Sequence, residues 1–167
     1  MTALLNTVER VELDRYLGTW FEISRLPLKY EDEGARDITA TYSLNEDGSV
    51  RVDNRCIDDA GLPAQALGEA RPVDDTGARL TVSFLPEYLR WIPFTKGDYW
   101  VIRLAEDYSV SLVGTPDRRN LWLLARDHDL PQAVRSDYLN TAREQGFDLS
   151  HLITPRQSGR VVEMGDQ

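Results

Sequence analysis

Cysteine is almost absent from this chain. Cys56 is the single one in 167 residues, which excludes any intrachain disulfide and any cysteine-based zinc cluster. Histidine is nearly as scarce: His128 and His151 are the two present, and they lack a His-Glu-x-x-His spacing that would suit a metal. No stretch approaches the roughly 20 apolar residues a spanning helix requires. The opening Met-Thr-Ala-Leu-Leu-Asn has neither a basic region nor an apolar run, so no export signal is read in the chain as given. A leader already removed would leave the same picture, so both compartments stay open. Positive charge is in deficit, with 19 Lys and Arg against 28 Asp and Glu, for a net charge of -9. Such a field repels polyphosphate, and nucleic acid is not an expected partner. A Gly-x-Ser-x-Gly elbow, a phosphate-cradling glycine loop and a paired-glycine dinucleotide fingerprint are all missing, which removes most support for hydrolytic and nucleotide-dependent enzymes. No cofactor or metal is expected.

What is present is an ordinary globular composition, 41% hydrophobic and 28% charged, on a chain of single-domain length able to bury roughly 70% of its unfolded surface. Between Gly18 and Asp127 it breaks into short alternating or β-branched segments: Thr19 to Leu26, Ile38 to Asn45, Ser49 to Ile57, Gln65 to Val73, Ala78 to Phe84, Gly97 to Leu104, Tyr108 to Gly114 and Leu121 to Arg126. Short turns (46–48, 74–77, 106–107) alternate with longer connectors (27–37, 58–64, 85–96, 115–120). If each strand reverses direction, the short turns gather at one end and the long loops at the other. The expected fold is therefore all-β, an eight-stranded antiparallel up-and-down barrel that leaves no free edge and encloses either packed side chains or one small ligand. After the last strand, Leu130-Pro131 opens a helical pattern with Val134, Tyr138 and Ala142 on one stripe and Gly146 as its stop, which predicts one helix packed outside the barrel. The domain reading is an N-terminal segment 1–12, the barrel with its helix 13–153, and a loose tail 154–167 of low apolar content.

Directional counting then places side chains. Trp20 and Arg126 fall at the tight end on strands that adjoin when the barrel closes, and parity puts Trp122, Leu124 and Arg126 on one face. The arginine can stack on the indole as a plug in the floor, worth about 0.5–2 kcal/mol; otherwise Trp20 is a core aromatic and Arg126 a solvated charge. Asn54, Phe84, Tyr99 and Trp122 fall toward the open end, with Tyr42 deeper, as candidates to wall one pocket or to pack against each other. Cys56 shares parity with Val52 and Asn54. It reads as a small buried hydrophobe or as a thiol that could act on a reactive lipid. Arg103 shares inward parity with Tyr99 and Val101, so it either joins the floor network or is turned outward by a bulge. The connector 85–96 is unusually apolar, and its Tyr88, Trp91 and Phe94 could form a lid, meet a membrane or a second subunit, or accept the end of an acyl chain. Arg90 and Lys96 beside them could attract a carboxylate or phosphate head, or simply be solvated.

A family resemblance rests on an ordered set of motifs. Gly18-Thr19-Trp20-Phe21-Glu22-Ile23-Ser24-Arg25 on the first strand, Ala40-Thr41-Tyr42-Ser43-Leu44, the Asp47-Gly48 turn, Gly68-Glu69-Ala70, Tyr99-Trp100-Val101-Ile102 and Leu121-Trp122-Leu123-Leu124-Ala125-Arg126 resemble the lipocalins, in the branch of the bacterial lipocalins and apolipoprotein D. The resemblance spans roughly Val11 to Ile153. It implies a carrier of a small hydrophobic or amphiphilic ligand such as a fatty acid or lysophospholipid, with Tyr42, Asn54, Phe84, Tyr99 and Trp122 at ligand-contacting positions and Gly18, Trp20 and Arg126 as floor. It also implies the periplasmic side of an outer membrane if a leader has been removed, although no lipid-modified cysteine lies near the start. Three readings stay open: a carrier that does no chemistry, a barrel-shaped enzyme using Cys56, and an interaction protein docking through its apolar loop.

Overall fold

Each alternating segment becomes a strand paired antiparallel with the one before it. The computed structural model describes residues 4–27, 34–84 and 96–164. The strands are β1 (Gly18–Arg25), β2 (Arg36–Leu44), β3 (Val50–Ile57), β4 (Pro63–Pro72), β5 (Arg79–Phe84), β6 (Lys96–Leu104), β7 (Val110–Gly114) and β8 (Leu121–Ala125). β8 returns to β1, pairing Phe21 with Ala125 and Arg25 with Trp122, and closes the barrel. All eight expected strands are present, none with an end displaced by more than two residues. The three short turns share one device. Asp47, Asp74 and Asp107 each accept both the backbone N–H and the hydroxyl of the Ser or Thr two residues on, which fixes a tight reversal without apolar contacts.

Two cores result from the strand alternation. Trp20, Val52, Ala66, Val82, Val101 and Leu124 meet inside the barrel. Ile23, Leu112, Leu121, Leu123 and Ala125 point outward, against Tyr138, Leu139 and Ala142 of the helix α2 (Gln132–Glu144). β7 and β8 are thus buried on both faces, the reason they read as nearly continuous apolar runs. Gly146 follows α2 at φ +94°, the left-handed stop the sequence predicts. Arg103 resolves its two alternatives: the register of β6 against β7 shifts between Val101 and Arg103. The bulge sends the guanidinium outward onto α2, where it bonds Asp137 at 2.8 Å and lies 3.9 Å over the Tyr138 ring.

The chain before β1 crosses the tight end. Val11 N–H bonds Thr76 O, Glu12 N–H bonds the Tyr108 hydroxyl, and the four-residue helix α1 (Leu13–Tyr16) sets Tyr16 into the interior. After α2, Arg25 and Ile153 exchange two backbone hydrogen bonds. The tail 154–167, whose low apolar content predicts a loose segment, makes polar contacts with the barrel at its start: Asp37 N–H reaches Arg156 O, and Gln157 Nε2 donates to both Glu22 O and Ile38 O. These contacts lie where β1 and β2 have stopped pairing, since their register runs only from Gly18↔Tyr42 to Phe21↔Thr39. The tail fills a gap in the ladder, and apolar periodicity is blind to that.

Candidate ligand cavity

The floor is built from β1 and the residue just after β8. Trp20 is fully buried and donates its indole N–H to Tyr16 O at 2.9 Å. The Arg126 guanidinium lies 3.8 Å from the ring centroid and donates to the carbonyls of Arg15, Tyr16, Thr19 and Tyr108. A half-buried cation placed on the indole face, its donors satisfied by four carbonyls, closes this end of the barrel. Gly18 is required beneath it: the residue adopts φ +103°, and a Cβ there would stand 3.1 Å from Arg126 Nη1.

Above the floor lies a rung of hydroxyls. Tyr99 OH is 2.8 Å from Tyr16 OH and 2.9 Å from Tyr42 OH, and Tyr16 OH is 2.7 Å from Ser111 Oγ. Burial pushes the Tyr16 hydroxyl up to about 12 and those of Tyr42 and Tyr99 well above the ordinary tyrosine value, so all three stay protonated. Counting along the strand sets Tyr99 near the mouth. The register, with Tyr99 opposite Leu80 near the start of β5, brings its hydroxyl down to the floor tyrosines, a consequence of strand stagger in a closed barrel.

The walls enclose an unfilled interior of about 140 Å³, and Tyr42, Asn54, Phe84, Tyr99 and Trp122 all line it. Leu80, Val82 and Leu124 supply apolar wall between them. Phe84 lies against Gly68, where a Cβ would fall 2.8 Å from the ring, so the glycine gives the aromatic its place. Cys56 also lines the cavity, packed with Ala35 and Ala64 at the wall. His128 is on the outside against Phe21, and His151 lies beside Leu26 and Pro27. Neither is placed to activate the thiol. Lys96 is exposed at the start of β6, whereas Tyr88, Arg90, Trp91 and Phe94 lie outside the described residues.

A buried charged pair in the cavity lining escapes the sequence reading. Glu22 and Arg25 both line the interior with side chains 8% and 7% exposed, and Arg25 Nε is 3.8 Å from Glu22 Oε2. Three apart on a strand, they should face opposite ways. The β1–β8 register slips between Glu22 and Ser24, so Ile23 and Ser24 together oppose Leu123 and both charged residues turn inward. Glu22 was legible, since it shares parity with Trp20. Arg25 was not, because nothing in the local sequence announces the bulge.

Comparison with known proteins agrees with this geometry. A family model for the lipocalin-like domain matches residues 11–157. The chain is 37% identical over 157 residues to the outer membrane lipoprotein Blc of Escherichia coli K12, covering 93% of this chain and 84% of that protein. It is 34% identical over 162 residues to temperature-induced lipocalin-1 of Arabidopsis thaliana, covering 95% and 86%, and 31% identical over 158 residues to apolipoprotein D of Macaca fascicularis, covering 89% and 78%. Among solved structures, insecticyanin from the tobacco hornworm Manduca sexta superposes with a TM-score of 0.68 at 17% identity over 93% of this chain and 85% of that one. Lobster apocrustacyanin A1 gives 0.69 at 9% identity, over 93% and 91%. With an indole and guanidinium sealing a closed eight-stranded barrel, and with sequence relatives spanning nearly its whole length, this chain belongs to the lipocalin family, whose members bind small hydrophobic ligands.

Proposed function

We propose that this protein binds and carries a small amphiphile, a fatty acid, lysophospholipid or similar lipid, inside the barrel without transforming it. The observation that carries the reading is the unfilled, mostly apolar interior above a sealed floor, walled by Phe84, Trp122, Leu80 and Val82, with Asn54, the tyrosine hydroxyls and the Glu22–Arg25 pair as its polar points. Such a lining gives an alkyl chain a dry path and offers few groups that select its chemistry. The thiol of Cys56 lines the same space, but neither histidine stands beside it, so the geometry favours carriage over catalysis. Contact of Tyr42, Asn54, Phe84, Tyr99 and Trp122 with the ligand follows from their place in the wall.

Displacement of a fluorescent fatty acid tests the reading. Trp122→Ala removes the bulkiest side chain among the described residues that line the cavity, so affinity should fall tenfold or more while the melting temperature changes little. Unchanged affinity would remove Trp122 from the site.

A further inference from the structure

The inner end of the cup holds one hydrogen-bond donor more than it can use. Ser111, Tyr16, Tyr99 and Tyr42 form a chain of four hydroxyls joined by three contacts, of 2.7 Å, 2.8 Å and 2.9 Å in that order. Each hydroxyl carries one proton, and each contact uses one. Burial keeps the three tyrosines protonated, so none of the four protons is lost to ionisation. Among the described residues the four hydroxyls have no further hydrogen-bond partner. However they rotate, one proton is left without an acceptor.

That surplus proton can move along the chain. Reversing the direction of donation carries it from Ser111 at one end to Tyr42 at the other, and Tyr99 holds it when it accepts from both neighbours. Ser111 is wholly buried, whereas Tyr42 and Tyr99 line the cavity. An unpaired donor is costly in a low-dielectric interior, so the proton is best placed where an acceptor can reach it. An alkyl chain lying against the tyrosines offers no acceptor and keeps water from them. An oxygen at the leading end of that chain meets the need.

We propose that the hydroxyl chain from Ser111 to Tyr42 is a donor subsite for a neutral oxygen at the leading end of an amphiphile, so that the preferred ligand is an oxygenated lipid bearing a ketone or hydroxyl remote from its headgroup. The proposal rests on the carrier reading and narrows its ligand class. The surroundings favour a neutral group. Trp20 stands between the Arg126 guanidinium and the Tyr16 ring, 3.8 Å from the one and 4.9 Å from the other, and Arg126 is engaged by four carbonyls. A carboxylate at the hydroxyls would therefore meet neutral donors and no paired cation, and its charge would stay uncompensated. The neighbouring wall is apolar, with Val52 opposite Tyr42 and Leu80 opposite Tyr99. Asn54, opposite Ala40, lies nearer the mouth, out of line with the leading end.

Titration with 9-oxodecanoic, 11-oxododecanoic and 13-oxotetradecanoic acids, each beside its counterpart with CH2 in place of the keto oxygen, tests the subsite. At the length that binds tightest, the oxo acid should bind the unaltered protein at least as well as its counterpart, because the donor returns what the oxygen loses on leaving water. Its keto stretching band should lie below the frequency it has in hexane. Tyr42→Phe/Tyr99→Phe removes two hydroxyls of the chain and should shift the affinity ratio about tenfold against the oxo acid, with the band returning toward its position in hexane. Oxo acids that bind the unaltered protein more weakly than their counterparts by about tenfold or more at every length would overturn the subsite and leave the carrier reading standing. An unchanged ratio in the double variant would assign the oxygen to another donor, such as the Asn54 amide, and overturn the role of the hydroxyl chain. Absence of saturable binding by all of these acids would overturn the carrier reading, and the subsite with it. The ratio measured on the unaltered protein decides the matter even if the variant does not fold.

Discussion

Single side chains in this molecule carry unequal weight, and Trp20 carries the most. Its ring is buried between Arg126 on one side and Tyr16, whose centroid is 4.9 Å away. Trp20→Ala would remove a large core side chain, take away the ring on which the Arg126 guanidinium stacks and open the floor, at a cost of about 3–5 kcal/mol. Thermal unfolding should show a strongly lowered midpoint, and a midpoint close to that of the unaltered protein would deny the floor its structural role. Trp122 contrasts with it. The two tryptophans share the barrel interior, but one is an internal strut and the other a half-buried wall, so one loss appears in stability and the other in ligand affinity. The pairing of Trp20 with Arg126 was legible from strand parity and direction alone. The hydroxyl rung was not, because Tyr16 comes from a helix of only four residues, too short to show a period.

At the scale of elements, the irregularities do most to shape the site. Strand existence, order and closure were readable from alternation and turn residues, since those follow from side-chain period and local hydrogen bonding. Two bulges were not. The one in β1 aims Arg25 into the cavity, and the one in β6 aims Arg103 out onto α2. Each inverts a parity argument for every residue beyond it. Only Arg103 gave a hint, as a charge at an inward position near a closed floor. The tail likewise escaped, because it is held by hydrogen bonds at the place where β1 and β2 part. Gln157 is its keystone, donating to Glu22 O at 2.7 Å and Ile38 O at 2.9 Å. Gln157→Ala should cost about 1–3 kcal/mol by leaving those carbonyls unpaired. Amide exchange should quicken at Ile153 and Asp37, whose N–H groups hold the tail to the barrel. Unchanged exchange would show that the tail does not brace the wall.

The whole molecule is an acidic barrel with a greasy interior, and the two features divide the labour. A net charge of -9 keeps the outside soluble and disfavours association with polyanions. The interior supplies the affinity through apolar burial, which scales with ligand length and not with ligand identity. That is why the family, whose members bind small hydrophobic ligands, follows from the residues while one particular lipid does not. The most direct test of the cup is a titration of the unaltered protein with saturated fatty acids of increasing length, each kept below the concentration at which it aggregates. Binding should strengthen by up to about 0.8 kcal/mol for each added methylene until the interior is filled, and then level off. Affinity that ignores chain length, or no saturable binding at any length, would contradict an open apolar interior as the seat of function.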